Sequence, residues 1–155
     1  MSEALNDQDI RILELLQERA DLSTAEIGNL INLSQSPCWR RIQRLRGEGY
    51  IKKQVALLDR DKLGDSFFIF ASLKMTTLDE SSRKTFFSRI QEIPEIMECY
   101  TLFGERDVVI KVLAKSMRWY QDFNFNVLLK LPGVVDVESM VTLAEVKYTT
   151  ALPLR

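Results

Sequence analysis

The chain has 155 residues, 46% hydrophobic and 28% charged, the composition of one or two compact domains rather than of a disordered or fibrous protein. Its formal net charge of −1 excludes neither nucleic acid nor protein as a partner, so any basic surface has to be local. There is no histidine, and Cys38 and Cys99 are too few for a disulfide scaffold and lack the short spacing of metal ligands. The expectation is a cytoplasmic protein with reduced thiols and no metal, cofactor or membrane span; the opening "MSEALNDQD" is acidic and polar, unlike a signal peptide.

The first third reads as three short helices. Asn6 can cap a helix over about Asp7 to Arg19, with Ile10, Leu13 and Leu16 at helical spacing and Ile12 and Leu15 widening the stripe. "STAE" gives Ser23 and Glu26 the spacing of a capping box, opening a second helix expected to bury Ala25, Ile27, Leu30 and Ile31. Ser34 can cap the third, Pro37 falls in its first turn, and Gly47 or Gly49 ends it. Tyr50 to Leu58 reads as extended, a small wing or a linker strand, and "DRDKLGD" at Asp59 to Asp65 reads as a hinge.

From Ser66 the periodicity changes. "FFIFASLKM" is strand-like, Leu78 to Ile93 helical with Phe86, Phe87 and Ile90, and Pro94 ends that helix. "IMECYTLFG" and "DVVIKVLA" are strands joined by a short turn. Ser116 to Leu131 is helical with Trp119, Tyr120, Phe123, Val127 and Leu128 as its stripe, and "PGVVDVESMVTLAEVKYTT" returns to strand. The order βαββαβ predicts an α+β ferredoxin-like domain, a four-stranded antiparallel sheet with both helices on one face. The other face carries alternating apolar residues and needs a cover, so self-association is expected. An extra strand or arm is expected near Glu145 to Leu154. The predicted boundaries are 1–53 for the helical domain, 54–65 for the linker and 66–155 for the second domain.

Charge is concentrated on one element. From Gln35 to Lys53 there are six basic residues, Arg40, Arg41, Arg44, Arg46, Lys52 and Lys53, against Glu48 alone, whereas the segment before it carries Glu3, Asp7, Asp9, Glu14, Glu18, Asp21 and Glu26. Cys38, Ile42 and Leu45 stand at i, i+4 and i+7, one face directed at the other helices; Ser36, Arg40, Gln43 and Arg44 lie opposite. A helix entering a major groove N-terminus first would bring Gln35 and Ser36 to base edges, then Arg40 and Gln43 to bases or phosphates; Arg44, Arg46, Lys52 and Lys53 suit phosphates, and Arg41 on the flank also counts as DNA-binding. The plain alternative is a solvated basic face. Cys38 in an apolar stripe reads as core rather than nucleophile, and Trp39 as a packing residue on the helix flank or a stacking platform. An enzyme finds no support in the sequence, which offers no glycine-rich phosphate loop and no nucleophile–base pair; a ligand-sensing module with a protein-docking helical domain is the other rival.

On these residues the chain resembles the Lrp/AsnC family, the leucine-responsive or feast/famine transcriptional regulators. The resemblance rests on Leu5 with Asp9, Leu33-Ser34, Arg40-Arg41, Leu45 and Gly49-Tyr50-Ile51 in the first half. In the second it rests on the Gly-x-x-Asp turn of "FGERDVVIKV" and the closing "LPGVVDVESMVTLAEVKYTTALPL". It implies a winged-helix-like helix-turn-helix domain, a double-stranded DNA operator as partner, and dimers built through the C-terminal sheets and assembled into tetramers or octamers. It also implies a small effector, an amino acid in most of the family, near the turn Gly104, Glu105, Arg106 and Asp107, with Thr101, Leu102 and Phe103 lining the approach. Asp107 would receive the ammonium group; the alternative is a strand-start residue that bonds the turn backbone. Arg106 stands where the family usually has an aromatic or small residue.

Overall fold

Capping chemistry sets where the first helices begin. In a computed structural model, which describes residues 4–154 and so leaves Glu3 outside, α1 spans Asp7–Glu18, α2 Thr24–Leu30 and α3 Gln35–Gly47. The Asn6 side chain accepts from the Asp9 amide (3.0 Å) and the Asp9 carboxylate accepts from the Asn6 amide (3.2 Å), a reciprocal capping box. Ser23 and Glu26 repeat the arrangement on α2, while Ser34 occupies the cap position of α3 without a side-chain bond to it.

The turn between α2 and α3 is tight. Asn32 takes a positive φ of 55°, and the Leu33 amide donates to the Gly28 carbonyl at 2.8 Å. A Cβ on Gly28 would lie 2.5 Å from the Leu33 carbonyl oxygen, so only glycine lets the turn close on α2.

The helices enclose Ile12, Leu13, Leu15, Ile27, Cys38, Ile42 and Leu45. Ile10 and Leu16 are only half-buried, so of the expected stripe Leu13 reaches the core, together with Ile12 and Leu15 from its margin. Ala25 and Leu30 are exposed, contrary to expectation: α2 is seven residues long and turns only Ile27 and Gly28 fully inward. Residues 51–59 form neither helix nor strand, and no wing strand forms among the described residues of this unit.

The chain divides into two compact units, one running to Leu58 and resuming at Lys147, the other Asp59–Val146. The sequence reading placed 147–154 with the second unit, but these residues return to α1. The Gln17 amide donates to the Leu152 carbonyl (3.1 Å) and accepts from the Leu152 amide (2.6 Å), and Leu154 joins the helical core. Of the extra strand or arm expected near Glu145 to Leu154, the arm is what forms, and no strand.

In the second unit β1 (Phe67–Met75), β2 (Ile96–Thr101), β3 (Val108–Ala114) and β4 (Val134–Val141) form one sheet in the order β2-β3-β1-β4, every pair antiparallel. With α4 (Glu80–Glu92) and α5 (Met117–Asn126) this is the α+β, βαββαβ ferredoxin-like arrangement. Alternation divides the sheet: Ile69, Ala71, Leu73, Val108, Ile110 and Val112 meet Phe86, Ile90, Tyr120 and Phe123 of the helices. Phe68, Phe70, Ser72 and Lys74 turn to the open face. α5 is shorter than its apolar pattern, giving way to a 3₁₀ turn at Leu128–Lys130 that brings Leu128 and Leu131 into the core.

Candidate nucleic-acid interface and ligand cavity

The inner side of α3 is apolar: Cys38 and Leu45 are fully buried and Ile42 nearly so. Burial pushes the Cys38 thiol up, and does the same at half-buried Cys99, so both stay protonated near neutrality, as packing residues rather than nucleophiles. Opposite them Ser36, Arg40 and Gln43 are exposed, as are Gln35 in the first turn and Lys52 and Lys53 beyond the helix. Trp39 is 54% exposed, too open to be a packing residue of this unit. Arg46 is exposed and donates to Gln54 Oε1 (3.0 Å), whose amide reaches the Ala20 carbonyl.

Arg41 and Arg44 are placed differently. Both turn toward Asp9, which is fully buried. Arg41 Nη1 lies 2.9 Å from Asp9 Oδ1 and 3.3 Å from Asn6 Oδ1; Arg44 Nη2 lies 2.6 Å from Asp9 Oδ2 and its Nη1 3.5 Å from Glu48. Burial pushes the Asp9 carboxyl up, but the Asn6 amide and the two guanidiniums outweigh it and hold the group below the usual carboxylate range. Sequence reasoning counted Asp9 among the acids and, with Leu5, as a mark of the family, but gave it no partner. Its signal was present, an Asp at the third position of a helix whose neighbours Ile12 and Leu13 face inward.

The effector residues read from the Gly-x-x-Asp turn do not gather at one place. Thr101 and Asp107 line a cavity of about 270 Å³ with Met75, Thr76, Leu78, Arg83, Phe86, Phe87 and Val108. Leu102, Phe103, Gly104 and Glu105 are exposed on the turn, with Phe103 fully so, and the Glu105 carbonyl accepts from Lys74 (2.7 Å). Arg106 points to β4, pairing with Asp136 and with Glu138 (3.0 Å). Its guanidinium pKa is raised by the bond to Asp136, and the Asp136 carboxyl is held down in return. Asp107 Oδ2 accepts from the Met75 amide (2.8 Å) with Lys74 Nζ at 3.4 Å, and the backbone bond foremost keeps its carboxyl low. It therefore does bond backbone, that of β1, while still facing the cavity. The cavity's contributors from β1 and α4, Arg83 above all, were missed because only folding brings them to the turn.

A helix-turn-helix with an exposed polar second helix, joined to a ferredoxin-like unit with a charged cavity, defines a DNA-binding regulator with a ligand-binding domain. Residues 5–52 match the winged helix-turn-helix DNA-binding family and residues 69–152 the Lrp/AsnC ligand binding domain. The chain is 32% identical over 150 residues to the DNA-binding transcriptional activator DecR of Escherichia coli (strain K12), covering 97% of this chain and 99% of that one. It is 34% identical over 154 residues to the glutamate uptake regulatory protein of Zymomonas mobilis, covering 99% and 93%. Among solved structures, the transcriptional regulator NMB0573 of Neisseria meningitidis, in complex with L-Met, aligns with a TM-score of 0.92 at 32% identity over 97% of both chains. The chain belongs to the Lrp/AsnC family: it is a DNA-binding transcriptional regulator, not an enzyme.

Proposed function

We propose that this regulator binds a double-stranded operator through α3, adjusts that binding to a small amino acid held in the ligand-binding unit, and works in the cytoplasm as a dimer or an assembly of dimers. The observation that carries the reading is the exposed set Ser36, Arg40 and Gln43 on the outward side of the second helix of a helix-turn-helix, with exposed Gln35 in its first turn. Gln35, Ser36, Arg40 and Gln43 are the reading face, and Arg46, Lys52 and Lys53 contact phosphates.

The cavity suits a zwitterion. Asp107 offers a carboxylate for the ammonium group, Arg83 a guanidinium for the carboxylate, and Met75, Leu78, Phe86 and Val108 an apolar wall for the side chain. The L-Met bound by the neisserial relative supports that ligand class. On the open sheet face Phe68, Phe70 and Met140 need a cover, and a second copy of the same face supplies one. Dimers joining further give tetramers or octamers.

Duplex selection on the native chain and its variants tests the interface. Replacing Arg40 or Gln43 by alanine should relax sequence preference, while replacing Lys52 or Lys53 should weaken binding to every duplex alike and reduce the salt dependence. If the four variants behave identically, the division into readers and anchors is wrong. Identical footprints and oligomer mass with and without a panel of amino acids would overturn the effector part.

A further inference from the structure

We propose that Asp9 withholds Arg41 and Arg44 from the phosphate backbone, and so acts as a positioning residue that keeps non-specific DNA affinity low. The inference rests on α3 being the DNA-contacting helix. Four arginines lie on that helix, and by sequence alone they are equivalent donors to a polyanion. The fold makes them unequal. Arg40 is exposed and Arg46 leans only on a neutral amide, whereas Arg41 and Arg44 converge on one carboxylate with no exposed surface.

Each carboxylate oxygen has its own guanidinium, at 2.9 and 2.6 Å, and Oδ2 also takes the Asn6 amide. Asn6 Oδ1 adds a second acceptor for Arg41, and Glu48 a second acid for Arg44. Drawing either arginine toward a solvated phosphate would strand a buried negative charge, which is far more costly than breaking a surface pair. The network also joins the capping box of α1 to the middle of α3, which fixes the rotation of α3 about its axis and therefore which side chains point outward.

The consequence is readable in salt dependence. Each phosphate neutralised adds about 0.9 to the slope of log K against log salt. Asp9→Asn removes the charge and keeps the shape, releasing two guanidiniums to bind phosphate. On random-sequence duplex DNA the slope should steepen by about 1.8, so that the affinity lost between about 50 and 200 mM salt grows roughly tenfold. The preference for selected over random duplex should fall. A purely structural role for Asp9 predicts weaker binding to all duplexes with a slope unchanged or shallower, and that outcome overturns the proposal.

Asp9→Asn with Arg41→Gln and Arg44→Gln replaces the charged network by a neutral hydrogen-bonded one, and it decides the matter even where the single variant folds poorly. Sequestration predicts the native slope, whereas arginines that do contact phosphate predict a slope shallower by about 1.8. If the native chain shows no salt-dependent duplex binding, the reading of α3 itself fails. A steep native slope that Asp9→Asn leaves unchanged sinks only the role given to Asp9.

Discussion

Gly28 and Asp9 show how single side chains set the geometry of the helical unit. Gly28→Ala would press a Cβ against the Leu33 carbonyl, a backbone atom held by its neighbours' hydrogen bonds, so the turn and not a flexible side chain must move. A loss of about 1–3 kcal/mol in stability is expected, read from the urea midpoint. Asp9 sets a pH dependence. Its folded pKa lies below the unfolded one, so its contribution is present above the usual carboxylate range and is lost as pH falls through the folded value. Asp21, Glu26, Asp79, Asp107 and Asp136 are depressed as well and act in the same direction. Urea midpoints should therefore fall below about pH 4 and be flat between about pH 6 and 8; a rise on acidification would contradict the assignment. The sequence marked the position of Asp9 at the start of α1 but neither residue's partner. A glycine and an aspartate gain these roles from the chain that folds against them, and spacing along one helix carries no record of its partners.

Among the elements, those with a sustained period were legible and those defined by a partner were not. α3 was readable because Cys38, Ile42 and Leu45 repeat at helical spacing with a polar set opposite, and β3 because Val108, Ile110, Val112 and Ala114 alternate inward. The seven-residue α2 is too short for its period to fix its buried side. Residues 51–59 and the arm after β4 carry extended-chain composition, but a ladder needs a second strand and none is supplied within the described chain. The two hydrogen bonds between Gln17 and Leu152 and the insertion of Leu154 hold the arm instead. Truncation after Val146 should lower the stability of the helical unit by about 1–3 kcal/mol and speed amide exchange in α1, leaving β1 and β3 protected as before. Gln17→Ala should reproduce part of that loss.

For the molecule as a whole, the proposed assembly turns on the open face of the sheet. Its charges are already matched within the unit, Glu98 with Lys111 and Arg106 with Asp136 and Glu138, while Lys111 and Arg60 lie over the Phe68 ring at 4.2 and 4.7 Å. A second copy would thus meet aromatic and aliphatic surface with few unpaired charges to desolvate. Phe70→Glu should shift the mass in solution from a multiple of 18.0 kDa to 18.0 kDa, measured by light scattering; an unchanged oligomer would place the contact elsewhere. The need for this cover was visible in the alternation of β1, whereas the ligand cavity was visible only in part. Thr101 and Asp107 belong to a turn with a recognisable spacing; Met75, Leu78 and Arg83 come from elements that no local pattern connects to it. The clip at Gln17 has one more consequence, in the order of synthesis. Because the helical unit resumes at Lys147, it is split in the chain by the whole of the ligand-binding unit. The helices are made before the ligand-binding unit and their clip after it, so a nascent chain cannot carry a finished DNA-binding unit before its ligand-binding unit has been made.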